Sequence, residues 1–86
     1  MMSTNDVKAL IEAGIPSASA TVNDMTGTSD HFDAVVVSPA FAGLPRVRRH
    51  QLVYAALGDR MREEIHALSM QTLTPEEWNK KDRIGG

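Results

Sequence analysis

Apolar positions recur along this chain with two different periods. Val7, Leu10 and Ile11 fall at helical spacing, and Ser3 or Thr4 stands ready to cap that helix with Asp6 in its first turn. Gly14 suits a left-handed position past the helix end, Ile15 the apolar contact behind it, and Pro16 blocks continuation. A first helix is therefore expected over about Thr4–Ala13. The period then drops to two. Ala18, Ala20 and Val22 alternate with Ser19, Thr21 and Asn23, so Ser17–Asp24 reads as a half-buried strand. Thr26–Asp30, containing Gly27, is a polar hairpin loop. His31–Ser38 follows as a second strand, and its run of valines suggests a central place in the sheet before Pro39 ends it.

Phe41–Pro45 is a short turn into a longer helix. Val47, His50, Tyr54, Leu57 and Met61 form its apolar stripe, widened by Val53 and Ala56, with a break expected near Gly58–Asp59. Ile65–Leu73 is a third strand. Thr74, Pro75 and Glu77 then agree on a helix start, as N-cap, first helical residue and the far half of a capping box. The tail from Asn79 is expected to fray, and Tyr54 and Trp78 to be core or partly buried anchors. The order is α-β-β-α-β-α. A hairpin makes the first two strands antiparallel, and a crossover helix makes the third parallel to the second. The expected fold is a two-layer α+β domain spanning 1–86, ordered over about 4–80, with a three-stranded mixed sheet.

Composition narrows the chemistry. The chain has 86 residues, three histidines and no cysteine, so disulfides and thiolate-only metal sites are excluded. The formal charge of −2 argues against a dedicated nucleic-acid binder. No apolar run approaches the roughly 20 residues that span a bilayer, and the N-terminus lacks signal-peptide features. A cytoplasmic protein is the expectation. No dyad or triad spacing and no activated nucleophile points to an enzyme.

Four motifs in order resemble one family. Val35-Val36-Val37-Ser38 with Phe41 and Gly43 comes first, then Arg49-His50-Gln51 with Val53, Tyr54 and Leu57. Ile65-His66-Ala67-Leu68 follows, and Thr72, Thr74, Pro75 and Trp78 complete the set. Over about residues 4–80 this pattern is similar to the BolA family. The resemblance implies the BolA fold, related to class II KH domains. It also implies a monothiol glutaredoxin of the CGFS type as partner, with a [2Fe-2S] cluster shared between the two proteins and glutathione. His66 matches the family's histidine ligand. His31 is the nearest match to the second ligand, which the family draws from the loop between the first two strands. No cluster is expected in the isolated chain.

The residues also admit other readings. If strands two and three are parallel neighbours, His31 and His66 open them at the same edge of the sheet. Alternatively, His66 is a strand histidine with a backbone partner and His31 an exposed loop-edge residue. His50 reads as a packing and hydrogen-bonding residue of the helix stripe. Arg46, Arg48 and Arg49, with Arg60 and Arg62 nearby, form a basic surface that supports DNA binding as the alternative function. Against it, the turn Gly43-Leu44-Pro45-Arg46 has one glycine where KH domains use a GxxG loop, and Pro45 lacks an amide donor.

Overall fold

A computed structural model describes residues 3–24, 31–58 and 67–85, with 67 and 81–85 as backbone only. The chain runs α1 (Thr4–Gly14), β1 (Ser19–Asp24), β2 (His31–Val37), a 3-10 turn (Pro39–Phe41), α2 (Arg46–Leu57), β3 (Ala67–Leu73) and α3 (Pro75–Gly85). The sheet order is β1-β2-β3. β1 and β2 are antiparallel with Ser19 opposite Val37, and β2 and β3 are parallel with His31 opposite Ala67. The expected topology and the central place of β2 are both present. The hairpin loop, Met61, Asp59, the start of the third strand at Ile65–His66, and Arg60 and Arg62 lie outside the described residues.

Strand periodicity builds the core. Phe32, Ala34 and Val36 of β2 turn one face toward the helices and are buried, as is Ala20 of β1. Val7, Ile11 and Ile15 meet them from α1 and its C-terminus, Val53 and Leu57 from α2, and Phe41 from the 3-10 turn. Fully burying Phe32, Phe41 or Ile11 contributes about 1.5–3 kcal/mol each. Ser3 caps α1 in a complete capping box with Asp6.

Ser38 organises the exit from β2 although it is completely buried. Its N–H donates to the Leu73 carbonyl at 2.9 Å, and its Oγ donates to the Pro16 carbonyl at 2.7 Å. The same Oγ accepts from the Ala40 N–H at 3.0 Å, capping the 3-10 turn. One hydroxyl thus joins the end of β2 to the α1–β1 turn, where Ser17 takes the left-handed φ of 54°.

Three sequence expectations change. Gly14 is the last residue of α1 rather than a left-handed terminator, and Ile15 behind it is extended. Its role is close approach: a Cβ at Gly14 would stand 2.5 Å from Ala56 Cβ and 2.9 Å from Ala56 Cα. The stripe of α2 is rotated from the expected one. Val53 and Leu57 are buried, whereas Val47 is 66% and Tyr54 43% exposed. Arg49 accounts for the rotation, because a charged residue holds the inward position one turn before Val53. Trp78 is not a core anchor either, being 41% exposed. It lines a recess with Ser19, Thr21, Val35 and Val37, on the sheet face opposite α1 and α2. The last helix, α3, spans Pro75–Gly85. Acidic Glu76 and Glu77 open it and basic residues follow, which suits the helix dipole.

Candidate functional site

The parallel pairing of β2 and β3 sets the first candidate site. His31 is the first residue of β2, half-buried, and its Cα partner is Ala67, the first residue of β3. Parallel neighbours lie about 4.8 Å apart, so the two strands open side by side. His66 precedes Ala67 in the sequence and lies outside the described residues. Among the described residues, no group of three or more His, Cys, Asp or Glu side chains gathers to hold a metal.

The second candidate, the arginine cluster, divides in two. Arg46 and Arg48 are exposed at the start of α2, whose first turn carries no acidic residue. Arg49 is turned inward, with its side chain only 13% exposed. Its Nε donates to the Leu44 carbonyl at 2.8 Å and its Nη1 to the Thr72 carbonyl at 3.0 Å. The guanidinium also grips both carboxylate oxygens of Glu77, at 2.7 and 3.3 Å, and lies over the Phe41 ring. Arg49 therefore ties the turn before α2, the end of β3 and the start of α3 into one corner. It is not available to a phosphate as Arg46 and Arg48 are.

Glu77 answers this arginine while closing the helix cap expected from the sequence. Its Oε1 accepts from the Thr74 N–H at 2.9 Å, and its own N–H donates to Thr74 Oγ1 at 3.1 Å. The hydrogen bond from Arg49, reinforced by the Thr74 amide, pulls its carboxyl from the ordinary 4.5 to about 2. The sequence displays the cap but not this double duty, since Arg49 and Glu77 are 28 positions apart.

Beside this corner an open cleft of about 600 Å³ runs between α2 and β3. Arg46 and His50 project along its helical wall, and Met70, Gln71, Thr72 and Leu73 form the other. His50 is thus a half-buried residue of that wall. Sequence reading missed the cleft. The spacing of Arg46, Arg49 and His50 on one helical face was the available signal.

Comparison with known proteins gives a single family. The family model for BolA-like protein matches residues 11–77. The DNA-binding transcriptional regulator BolA of Haemophilus influenzae is 39% identical over 56 residues, covering 65% of this chain and 54% of that protein. Human BolA-like protein 1 is 40% identical over 58 residues, covering 67% of this chain and 42% of that protein. The chain thus spans about half the length of these curated relatives. Among solved structures, a BolA homologue from Coxiella burnetii superposes with a TM-score of 0.81 at 41% identity, covering 92% and 99% of the two chains. Yeast Fra2 gives a TM-score of 0.74 at 34% identity, covering 92% and 86%. The relatives are named as regulators or BolA-like proteins rather than for a catalytic activity. A sheet order, a helix order and a family match that all agree show that this chain belongs to the BolA-like protein family.

Proposed function

We propose that this chain is a BolA-type partner of a monothiol glutaredoxin of the CGFS type, used in iron–sulfur trafficking or in iron and redox regulation. In this reading His66, with His31 as second candidate, offers imidazoles to a [2Fe-2S] cluster bridged to the glutaredoxin cysteine and glutathione. The observation that carries it is the register: His31 faces Ala67, and His66 is bonded to Ala67. Family membership supports the same reading, as do the similarities to yeast Fra2 and to the BolA domain of SufE1 from Arabidopsis thaliana.

The donor set decides how much of a cluster the chain can hold. Iron–sulfur clusters are held mainly by thiolates, and this chain has none. Two imidazoles fit half of a shared site and leave the remaining iron positions to the partner. Bound there, the cluster would bring a redox-active iron pair whose ligation depends on neutral histidine. The chain's own work is to present the imidazoles, His31 from the opening of β2 and His66 from the position before Ala67 in the sequence. Anaerobic reconstitution with a CGFS glutaredoxin, iron, sulfide and glutathione should give a visible-absorbing heterodimer on size exclusion. A colourless mixture of separate proteins, or colour only in a glutaredoxin homodimer, would overturn the reading.

A second reading is nucleic-acid binding. The Haemophilus relative bears that name, and Arg46 and Arg48 are exposed at an α2 start free of acidic residues. It is the weaker reading, because Arg49 is committed to Glu77 and the turn at Gly43 has no second glycine. Steep salt dependence of DNA affinity would mark phosphate contacts. Arg46→Ala and Arg48→Ala should each then reduce the slope, whereas an affinity insensitive to salt, or a slope unchanged in both variants, would count against it.

A further inference from the structure

The two edges of the sheet are finished differently. At the β1 edge, Lys8 Nζ donates to the Ala20 carbonyl at 2.9 Å and Glu12 Oε2 accepts from the Ala20 N–H at 2.9 Å. The two side chains also pair with each other at 2.7 Å. An ion pair from α1 therefore closes both backbone groups of Ala20, the kind of edge protection that stops a sheet from recruiting another strand.

Among the described residues, the β3 edge is open over a longer stretch. The Ser38 N–H donates to the Leu73 carbonyl, so the odd-numbered residues of β3 direct their backbone groups toward β2. Met70 and Thr72 consequently direct theirs to the outer edge. The bond from Arg49 to the Thr72 carbonyl fits this alternation and occupies one acceptor. Among the described residues, the Met70 N–H and carbonyl and the Thr72 N–H are left along the wall of the open cleft. The facing wall carries Arg46 and His50, one helical turn apart on α2. Glu77 is the acidic residue among those lining the cleft, and Arg49 grips it.

We propose that this cleft binds an extended acidic peptide segment, which adds to β3 as an edge strand and sets a carboxylate against Arg46 and His50. Backbone pairing to Met70 and Thr72 would supply affinity, and the Arg46 guanidinium, with a His50 ring N–H as a further donor, would supply selection for acidic residues. The occupant is read from charge: the basic wall has no free carboxylate to answer it among the described lining residues. The location also separates this site from the histidine end. At about 3.3 Å per residue, Met70 lies about 10 Å and Leu73 about 20 Å along the strand from Ala67. A second protein segment could dock here while a partner occupies the openings of β2 and β3.

The test uses the full chain, ¹⁵N-labelled, and the probe peptide acetyl-Val-Glu-Val-Thr-Val-Glu-amide. Titration should move the amides of Met70 and Thr72 together with those of Arg46–His50. A lysine-for-glutamate peptide should bind about tenfold more weakly or worse, as should the acidic peptide to Arg46→Glu, an exposed position whose change leaves the core alone. Strand addition pairs only one side of the peptide backbone. N-methylation of one alternate set of amides should therefore abolish binding, and of the other set preserve it. Equal affinity for the lysine peptide, equal loss from either methylation pattern, or shifts confined to residues away from β3 would overturn the proposal. So would a single-stranded DNA oligonucleotide that moved the same β3 amides and displaced the peptide, since the cleft would then be a nucleic-acid site.

Discussion

Gly14→Ala tests how closely α1 and α2 pack. The new methyl group would meet Ala56 Cβ at 2.5 Å and, more seriously, Ala56 Cα at 2.9 Å. Carbon atoms are comfortable at about 3.5–4.0 Å, so relief requires the helices to separate by roughly 1 Å. That movement loosens the contacts of Val7 and Ile11 with Val53 and Leu57 in the buried core. Overpacking of this kind costs about 1–3 kcal/mol. Replacing glycine by alanine in a helix returns at most about 1 kcal/mol, and less at a helix end. The steric effect wins, with a net loss of about 1–2 kcal/mol. For a domain of this size that is a fall in Tm of roughly 5–15 °C. Urea unfolding followed by far-UV circular dichroism measures it. Adding Ala56→Gly removes the nearer contact but leaves the backbone one, so the double variant should be less destabilised than the sum of the two single variants. A Gly14→Ala protein as stable as the parent, or more stable, would refute the close-approach reading.

Other expectations concern the Arg49 corner. Arg49→Met should lower stability by about 2–3 kcal/mol in urea unfolding, since charge-assisted hydrogen bonds contribute about 1.5–3 kcal/mol and the Leu44 and Thr72 carbonyls lose their donor. Arg49→Lys should recover little of this, because an ammonium cannot reach those carbonyls and both Glu77 oxygens together; full recovery would contradict the planar-fork account. Glu77 has a folded pKa of about 2 against an ordinary 4.5, so the unfolded chain binds more protons between those values. Its stabilisation is complete above about pH 4.5 and is lost as pH falls toward 2. Thermal melts of Glu77→Gln across that range should show a shallower acid decline than the parent, and parallel curves would remove Glu77 from the account.

Much of this fold is legible because local signals agree with one another. The 3.6-to-2 change of period finds α1, β1 and β2, and the valine run places β2 in the middle of the sheet. Thr74, Pro75 and Glu77 announce α3 by cap chemistry alone. The errors arise where a distant residue decides the outcome. Counting apolar side chains on α2 favours Val47 and Tyr54, and only the acceptors from Leu44, Thr72 and Glu77 explain why Arg49 faces inward instead. Gly14 carries every local mark of a helix terminator, yet Ala56, far along the chain, sets its role. Trp78 reads as a core or partly buried anchor, but α3 carries it to the other face of the sheet, where it is 41% exposed. That β2 and β3 open at one edge follows from topology, whereas the pairing of His31 with Ala67 and the open edge of β3 depend on register and hydrogen-bond direction that no sequence pattern displays.

The central claim is that histidines of this chain complete a cluster shared with a glutaredoxin. Visible circular dichroism of the reconstituted heterodimer, recorded for the parent and for His66→Ala and His31→Ala, tests it most directly. His66→Ala should change or abolish the cluster bands while the far-UV spectrum stays that of the folded protein. His31→Ala should alter the bands if it is the second ligand and leave them in place if His66 serves alone. A His66→Ala complex with the same visible spectrum and the same cluster content as the parent would contradict the account.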